Sequence, residues 1–465
     1  MRICSVRFFK RWPLAACLAA ALWLGCARPQ KTASPAGECF QVAVEYHKLD
    51  NGLKVVLSPD HSVPTVTLAV YFNIGFRIEP RDRTGFAHLF EHMMFQGSQN
   101  LGKMEFIRLV QSNGGILNGS TRFDYTNYFE ILPSNKLETA LWAEADRMKG
   151  LAITQENLAN QQGVVKNEVK VNVLNQPYGG FPWLDMPQYA NTNWYNSHNF
   201  YGDLADIDAA TLTDVQSFFK TYYAPNNAAL VLCGDFEPEV GLALVRKYFE
   251  AIPSSELPPQ PDLAEPVQQQ EKKVSRVDSL ANRPALAFAY HMPERHTPEY
   301  YAMGLLDQML VQGEDCLLYK ALVKQRGMTG SVEGGINFAL GNMLNYNGPM
   351  LWTAALFHDS NVSSDSIMDE VDRVIGQVCA QAPEQAALDR ALVKFRSGFY
   401  DSLEDYYGFG RADLLACFAL FDDNPEGINQ LEEHFRAVTP DLLLKTARDY
   451  LRPTNRTVLS LVPKN

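Results

Sequence analysis

The sequence predicts an α+β protein built from two homologous units, each a mostly antiparallel sheet covered by helices on one side. Three observations support this prediction: short strands alternate with long helices in each half, a proline-rich segment divides the chain near its middle, and the two halves resemble each other. At 465 residues, the chain is too long for one small core and suits two domains of about 200 residues each.

The composition is that of a globular protein. Hydrophobic residues make up 46% of the chain and aromatic residues 11%, which is enough to bury a sizeable interior. The formal net charge is −12. A general nucleic-acid-binding surface has to be basic, so nucleic acid is excluded as the expected partner.

The first residues predict export. Basic residues precede an apolar run from Pro13 to Leu24, which is too short to span a bilayer of about 30 Å, so residues 1–25 are predicted to be a signal peptide. The run ends in WLGC, which resembles a bacterial lipoprotein signal with Cys26 as the lipidated residue. The alternative is a cleaved signal without a lipid. Residues 26–44 are predicted to be a flexible tether.

The predicted location is therefore the periplasm. Ala27, directly after Cys26, resembles lipoproteins held in the outer membrane of Gram-negative bacteria, so we expect a lipid anchor there. Five further cysteines are scattered without metal-ligand spacing, and most lie in apolar surroundings that predict buried thiols. An exported protein can form a disulfide, but the sequence does not choose a pair among Cys39, Cys233, Cys316, Cys379 and Cys417.

Similar segments recur at corresponding places in the two halves. LFEHMMFQG (89–97) aligns with LLDQMLVQG (305–313), and each follows an apolar strand. YYAPNNAALVL (222–232) resembles YLRPTNRTVLSL (450–461). Chance similarity between short amphipathic segments is the alternative, but two matches in the same order favour a duplication.

The break between the halves is rich in proline and poor in apolar residues. We therefore predict an N-terminal unit over 45–255, a linker over 256–278 and a C-terminal unit over 279–465. The first unit should contain the strands VAVEYHKL, KVVLSP, TVTLAVYF, TNYFEIL and AALVLCGD and the helices MEFIRLVQ, KLETALWAEADRM and TLTDVQSFFKTYY.

The stretch HLFEHMMFQG (88–97) predicts a helix with two different faces. Its apolar residues recur at helical spacing and form one stripe that should pack on the core. His88 and His92 fall on the opposite face, with Glu91 at its edge. The alternative is a pair of packing histidines, but these would usually lie within the apolar stripe, which consists of Phe86, Leu89, Phe90, Met93 and Met94.

Histidines four residues apart on a helix can bind one ion, because their side chains are neighbours about 6 Å apart. Imidazole nitrogens suit Zn²⁺, which takes a third protein ligand and leaves a position for water. The ion lowers the pKa of that water to about 7, and Glu91, beside the second histidine, is placed to accept its proton. HxxEH is the inverse of the HExxH motif of zinc peptidases.

Glu168 is the best candidate for a third ligand. It lies on a predicted helix for which Thr154 is a plausible N-cap, and Val164, Val165 and Val171 surround it at helical spacing. A carboxylate on an apolar face is costly unless it is paired or bound to a metal. The alternative is an ordinary exposed glutamate.

These residues resemble the inverted-zincin peptidase family of pitrilysin, insulysin and mitochondrial processing peptidase, and its bacterial half-length members above all. The resemblance extends through NGLKVVLSP, TGFAHLFEHMMFQGS, NGSTRFDYTNYFEILP, GVVKNEV and YYAPNNAALVLCGDFEP, and Glu168 follows His92 at the family distance of 76 residues. It implies that His88, His92 and Glu168 bind one Zn²⁺ per chain and that Glu91 is the general base. It also implies that Asn118 lies on an edge strand that pairs with the substrate backbone.

The chain departs from the family pattern in its metal-site surroundings. Many relatives have a glutamate seven residues before the third ligand, where this chain has Gln161, an amide that can orient a ligand but cannot transfer a proton. In the second repeat, Gly304, Asp307 and Gln308 stand at the positions of the HxxEH residues, so the C-terminal unit should hold no zinc.

A further departure concerns the partner. Active relatives carry an Arg and a Tyr seven residues apart in a C-terminal unit, and the corresponding positions here are Val323 and Gly330, with Arg326 nearby. Two-subunit members of the family divide the zinc site and the Arg/Tyr pair between chains. The resemblance therefore implies a heterodimer or homodimer with a related chain that closes like a clamshell over the peptide.

The sequence thus predicts a zinc-dependent endopeptidase that cleaves peptides or unfolded segments in the cell envelope, as the metal-bearing subunit of a two-chain enzyme. The alternatives are a non-catalytic scaffold lipoprotein that kept the fold and a membrane-surface adaptor. The other histidines show no metal-like spacing and are predicted to be structural: His47, His61, His198, His291, His296, His358 and His434.

Overall fold

A computed structural model describes residues 41–464. The predicted signal peptide, Cys26, Cys39 and the tether up to residue 40 lie outside the described residues. From Val42 onward the chain forms one compact unit that contains two sheets. Among the helices of residues 41–464, none has the length and apolar character needed to cross a membrane. The cysteines of this part are free thiols: Cys233, Cys316, Cys379 and Cys417.

The first sheet has six strands in the order β1-β2-β6-β3-β5-β4. All neighbouring pairs are antiparallel except β2 and β6. The strands are β1 Glu45–Lys48, β2 Lys54–Pro59, β3 Thr65–Phe72, β4 Ile116–Thr121, β5 Thr126–Pro133 and β6 Ala228–Gly234.

The second sheet repeats the arrangement of the first. Its order, β7-β11-β8-β10-β9, corresponds strand by strand to β2-β6-β3-β5-β4, and it too has one parallel pair, β7 and β11. The strands are β7 Lys272–Asp278, β8 Ala285–His291, β9 Glu333–Ile336, β10 Leu351–Phe357 and β11 Arg456–Pro463. The shared topology confirms the predicted α+β fold of two homologous units with mostly antiparallel sheets.

Helices surround both sheets. In the first half they are α1 Phe86–Met93, α2 Glu105–Ser112, α3 Leu137–Lys149, α4 Gln155–Val169, α5 Asp185–Ala190, α6 Trp194–Ser197, α7 Leu204–Ala209, α8 Leu212–Tyr222 and α9 Pro238–Phe249. In the second half they are α10 Pro298–Leu310, α11 Ser364–Ala380, α12 Gln385–Leu403, α13 Asp405–Asp422, α14 Leu431–Arg436 and α15 Pro440–Tyr450. A π-helical turn, Lys170–Leu174, continues α4, and another spans Tyr319–Gln325.

The first sheet buries both of its faces, whereas the sequence predicted helices on one side only. Alternate residues of β3 point in opposite directions, as in any strand. Leu68 and Val70 join the core beneath α1, α3, α8 and α9, whereas Ala69 and Tyr71 join a second core that includes α13. The second face is covered because α13 crosses over from the other half of the chain.

Each half of the chain places a helix on the sheet of the other half. While α13 packs on β2, β3 and β6 of the first sheet, α5 packs on β7, β8 and β11 of the second. Arg276 of β7 pairs with Asp185 of α5 at 2.6 Å, and the ammonium of Lys272 donates to the carbonyl of Ala190 at the end of the same helix. Each half therefore completes the core of the other.

Polar contacts fix α13 against the first sheet along its length. The hydroxyl of Tyr71 donates to Asp413 at 2.6 Å, and the Arg411 guanidinium pairs with Asp60 at 2.9 Å. At the other end, the ammonium of Lys54 donates to the carbonyl of Ala419 at 2.8 Å. These contacts set the position of α13 on the first sheet, and the buried leucines of α13 supply the apolar surface that packs there.

We expect Leu415→Ala in α13 to destabilise the whole protein. Leu415 is fully buried, so the change removes apolar contacts and leaves a cavity, which costs about 2–5 kcal/mol. Urea unfolding measures the effect, with Val393→Ala as the control because Val393 is 60% exposed. An unchanged midpoint for Leu415→Ala would contradict the view that the exchanged helix holds both halves together.

Candidate metal centre

The helix α1 begins at a close approach of two backbone segments. Gly85, its N-cap, has a left-handed backbone with φ of 84°. A Cβ at Gly85 would lie 2.8 Å from the carbonyl oxygen of Tyr201, and a Cβ at Gly202 would lie 2.4 Å from the amide nitrogen of Gly85. Glycine is therefore needed at both places, and their contact brings Tyr201 beside the start of α1.

A buried carboxylate holds the first turn of α1. Glu79 has no exposed surface, and it accepts hydrogen bonds from the backbone N–H groups of Gly85 at 2.9 Å and Ala87 at 2.5 Å. Burial raises the pKa of Glu79, with the nearby His198 acting in the opposite direction. Sequence analysis missed this residue, because it lies six residues before the N-cap of its helix and matches no local capping pattern.

The orientation of α1 agrees with its predicted helical wheel. The five residues of the apolar stripe are buried against the first sheet and α8. His88 and His92 lie on the other side, where α1 contacts α4, and the ring of Tyr201 packs edge-on against His88 at a centroid distance of 5.0 Å. The histidines are therefore held by packing without being part of the apolar core.

The helix α4 brings Glu168 to these histidines. Thr154 is its N-cap, as predicted, and the threonine hydroxyl accepts from the amide of Asn157 at 3.1 Å. The argument from an apolar face was wrong in part: Val165 is buried, but Val164 and Val171 are 41% and 48% exposed. The side chain of Glu168 is 29% exposed and lies at the edge of the buried face.

Three potential ligand atoms converge between α1 and α4. The Nε2 atoms of His88 and His92 are 3.3 Å apart, and Glu168 approaches within 3.1 Å of His92 Nε2 and 3.5 Å of His88 Nε2. Tetrahedral Zn²⁺ with bonds of about 2.0–2.1 Å separates its ligand atoms by about 3.4 Å. The spacing and the two-imidazole, one-carboxylate composition therefore fit a zinc ion.

The charge state of Glu168 suits this role. Hydrogen bonding to His88 and then to His92 holds the pKa of Glu168 well below its usual range, although burial opposes this effect. The carboxylate is thus ionised at neutral pH, as a metal ligand must be. Burial, with a smaller contribution from the charge of Glu168, raises the pKa of the neighbouring Tyr201 phenol.

Glu91 extends from the same helix toward the edge of the first sheet. Its Oε2 accepts a hydrogen bond of 2.6 Å from the hydroxyl of Thr121, the last residue of β4. Asn118 is exposed on the same strand, and its side-chain oxygen accepts from the amide of Gly119 at 2.9 Å. Because β4 is the outermost strand, one side of its backbone has no partner strand within residues 41–464.

Two predicted positions have other surroundings. Gln161 is buried on α4, where its amide donates to Asn160 at 2.7 Å, and no hydrogen bond within residues 41–464 joins it to the three ligand candidates. Val323 lies in the π-helical turn, and the nearby Arg326 donates to Glu370 at 3.2 Å. The described part of this segment therefore offers no unpaired arginine for a substrate carbonyl.

In the second repeat, a buried hydrogen-bond network occupies the position of the HxxEH residues. Asp307 is only 6% exposed and accepts from the indole N–H of Trp352 at 2.7 Å and from the amide of Gln312 at 3.0 Å. Burial raises the pKa of Asp307 to about 7, and the two hydrogen bonds oppose that rise. The second repeat therefore keeps the helix, but its acid, Asp307, belongs to a buried hydrogen-bond network.

Comparison with known proteins places these features in one family. A family model described as insulinase (peptidase family M16) matches residues 54–195, and one described as peptidase M16 inactive domain matches residues 209–394. Zinc protease PqqE of Helicobacter pylori is 25% identical over 423 residues, which cover 89% of this chain and 92% of that protein.

Solved structures show the same fold. The crystal structure of a protease from Helicobacter pylori superposes with a TM-score of 0.83 at 23% identity, covering 91% of this chain and all of that chain. The structure of the periplasmic protease PqqL from Escherichia coli has a TM-score of 0.68 at 16% identity and covers 92% of this chain. In that comparison, this chain spans only 48% of PqqL.

Asp307 should make the stability of the protein depend on pH. Its folded-state pKa of about 7 exceeds the ordinary 3.8, so between these values the folded chain holds a proton that the unfolded chain has lost. Stability should therefore fall as pH rises from about 4 to 7. We expect Asp307→Asn to reduce the loss of Tm between pH 5 and pH 8, as measured by calorimetry.

The matched control is Asp359→Asn, which changes an exposed acid of the same half. This variant should keep the wild-type pH dependence. If Asp307→Asn and wild type lost stability equally between pH 5 and pH 8, burial of Asp307 would not be the cause.

Proposed function

Because the chain belongs to the insulinase family of peptidases (M16), we propose that it is a zinc-dependent endopeptidase of the cell envelope and the metal-bearing subunit of a two-chain enzyme. The observation that carries the proposal is the convergence of His88, His92 and Glu168 to mutual distances of 3.1–3.5 Å beside Glu91. A protein that only kept the fold would have no need for three ligands and an adjacent acid together.

His88, His92 and Glu168 would hold the ion, with Glu91 next to it in the chain. Zn²⁺ bound there supplies a Lewis acid that polarises the scissile carbonyl and lowers the pKa of a water molecule. Glu91 accepts the proton of the attacking water through a carboxylate oxygen and delivers it to the leaving amine. One residue thus serves as base and then as acid, which balances the hydrolysis of the peptide bond.

The outermost strand β4 is the proposed docking edge for substrate. An extended peptide can add to its free side through backbone hydrogen bonds, which provide affinity with little dependence on side chains. Asn118 is exposed on this strand and, in our proposal, contacts the substrate backbone. A peptide or an unfolded segment fits this geometry best, because a folded protein rarely offers a free strand.

We propose a partner because this chain lacks the Arg and Tyr that the resemblance leads us to expect. Val323 and Gly330 replace the Arg and Tyr expected from the family, and Arg326 is engaged by Glu370. A related chain would supply the pair from its own C-terminal unit. In support, this chain corresponds to about half of PqqL, for which the comparison covers 48%.

A location in the cell envelope is supported by the predicted signal peptide and by a relative in fold, PqqL, described as periplasmic. The second candidate function is a non-catalytic scaffold of the same family. The observation in its favour is the match of residues 209–394 to an inactive domain, together with the absent Arg/Tyr pair. Metal content and turnover distinguish the two functions.

We expect one zinc per chain, measured by elemental analysis of purified protein, and its loss in His88→Ala. Glu91→Gln should keep the zinc but lower kcat by about 10²–10⁴-fold, because an amide cannot accept the proton. His61→Ala is the control, since its exposed ring pairs with Asp235. Peptidase activity that survives Glu91→Gln would remove Glu91 from the mechanism, and zinc retained by His88→Ala would displace the proposed site.

Peptide cleavage should also require a second chain. The purified protein alone, monomeric on a sizing column, should turn over far below an ordinary kcat of about 10 s⁻¹. Addition of a related chain that carries the Arg/Tyr pair but lacks HxxEH should restore turnover and shift elution to a dimer. A monomer with full activity on its own would contradict the two-chain proposal.

A further inference from the structure

We propose that Thr121 is a positioning residue for Glu91. Its hydroxyl connects the docking strand β4 to the proposed general base. The inference rests on the proposed function and adds a residue that the motif does not include. Thr121 is 6% exposed, and its hydroxyl donates to Glu91 Oε2 at 2.6 Å. Within residues 41–464, this is the one hydrogen bond made by the Glu91 carboxylate.

The bond comes from a rigid donor. Thr121 pairs with Thr126 in the ladder between β4 and β5, and the Thr126 hydroxyl in turn donates to the carbonyl of Ile74 at 2.8 Å. A β-branched side chain in a strand has few χ1 rotamers, so the hydroxyl stays where the strand puts it. The direction of the Glu91 carboxylate is therefore set by the sheet.

The bond is also of a strong type. An O–H donor to an ionised carboxylate at 2.5–2.7 Å is roughly twice as strong as a bond between neutral groups. It restrains a side chain with three rotatable bonds and occupies one of its two oxygens. Within residues 41–464, the other oxygen of Glu91 accepts no hydrogen bond, so in this proposal it is the one that takes a proton from the attacking water.

The placement couples substrate docking to catalysis. Thr121 lies three residues after Asn118, about 10 Å along the same strand. A peptide that adds to β4 takes its register from the strand that also directs Glu91. The docked backbone and the base therefore share one rigid support.

The test compares three variants of the full chain with its partner present. Thr121→Val keeps the shape and loses the hydroxyl, whereas Thr121→Ser keeps the hydroxyl. Ser134→Ala is the control, because Ser134 lies outside β4 and its hydroxyl donates to Asp235 instead of Glu91. We expect Thr121→Val to lower kcat by about 10–100-fold with KM and zinc content unchanged, since small misplacement of a catalytic group costs up to about 100-fold.

Thr121→Ser and Ser134→Ala should stay within a few-fold of wild-type kcat. Wild-type kcat in Thr121→Val, or equal losses in the Val and Ser variants, would overturn the inference and leave the proposed function intact. A wild-type protein with no turnover above that of Glu91→Gln would overturn the proposed function and this inference with it.

Urea unfolding of zinc-free protein gives a second readout that needs no substrate. Thr121→Val should lower the unfolding midpoint of the wild-type chain, because the Glu91 carboxylate loses its donor. In a Glu91→Ala background, the same change should be neutral or stabilising, because the buried hydroxyl no longer has an acceptor. Equal effects of Thr121→Val in both backgrounds would overturn the inference.

Discussion

The contact between the Glu79 carboxylate and the first turn of α1 fixes where that helix begins, and the candidate metal site depends on that starting point. Successive residues of a helix are rotated by about 100°, so a start displaced by one residue would turn His88 and His92 away from Glu168. The first N–H groups of a helix lack internal partners and carry positive partial charge. A buried acid satisfies two of them and locks the register.

The two halves of the chain use the same arrangement of strands and helix for different purposes. Both halves have the same strand order and a helix after the corresponding central strand. In the first half, that helix presents two imidazoles to Glu168 of α4 and the carboxylate of Glu91 to β4. In the second half, its acid is Asp307, which accepts from Trp352 inside the sheet-facing core. The C-terminal half therefore contributes structure, above all the helix that completes the first sheet.

The features that the sequence predicted correctly are those determined by residues close together in the chain. The apolar stripe of α1 and the N-cap Thr154 both follow from spacing along the chain, and the structure agrees. Glu168 was identified as a ligand candidate although its supposed apolar neighbours are partly exposed. Glu79 and the exchange of α5 and α13 were missed, because neither spacing nor amphipathicity tells which distant backbone or sheet a side chain or helix contacts.

The exchanged helix also sets the order in which the molecule can fold. The last strand of the first sheet ends at Gly234, but the helix that covers the sheet's second face begins only at Asp405. Until α13 packs on it, this apolar face of the first sheet is without its cover. The N-terminal half is therefore not a finished folding unit, despite containing all the candidate zinc ligands.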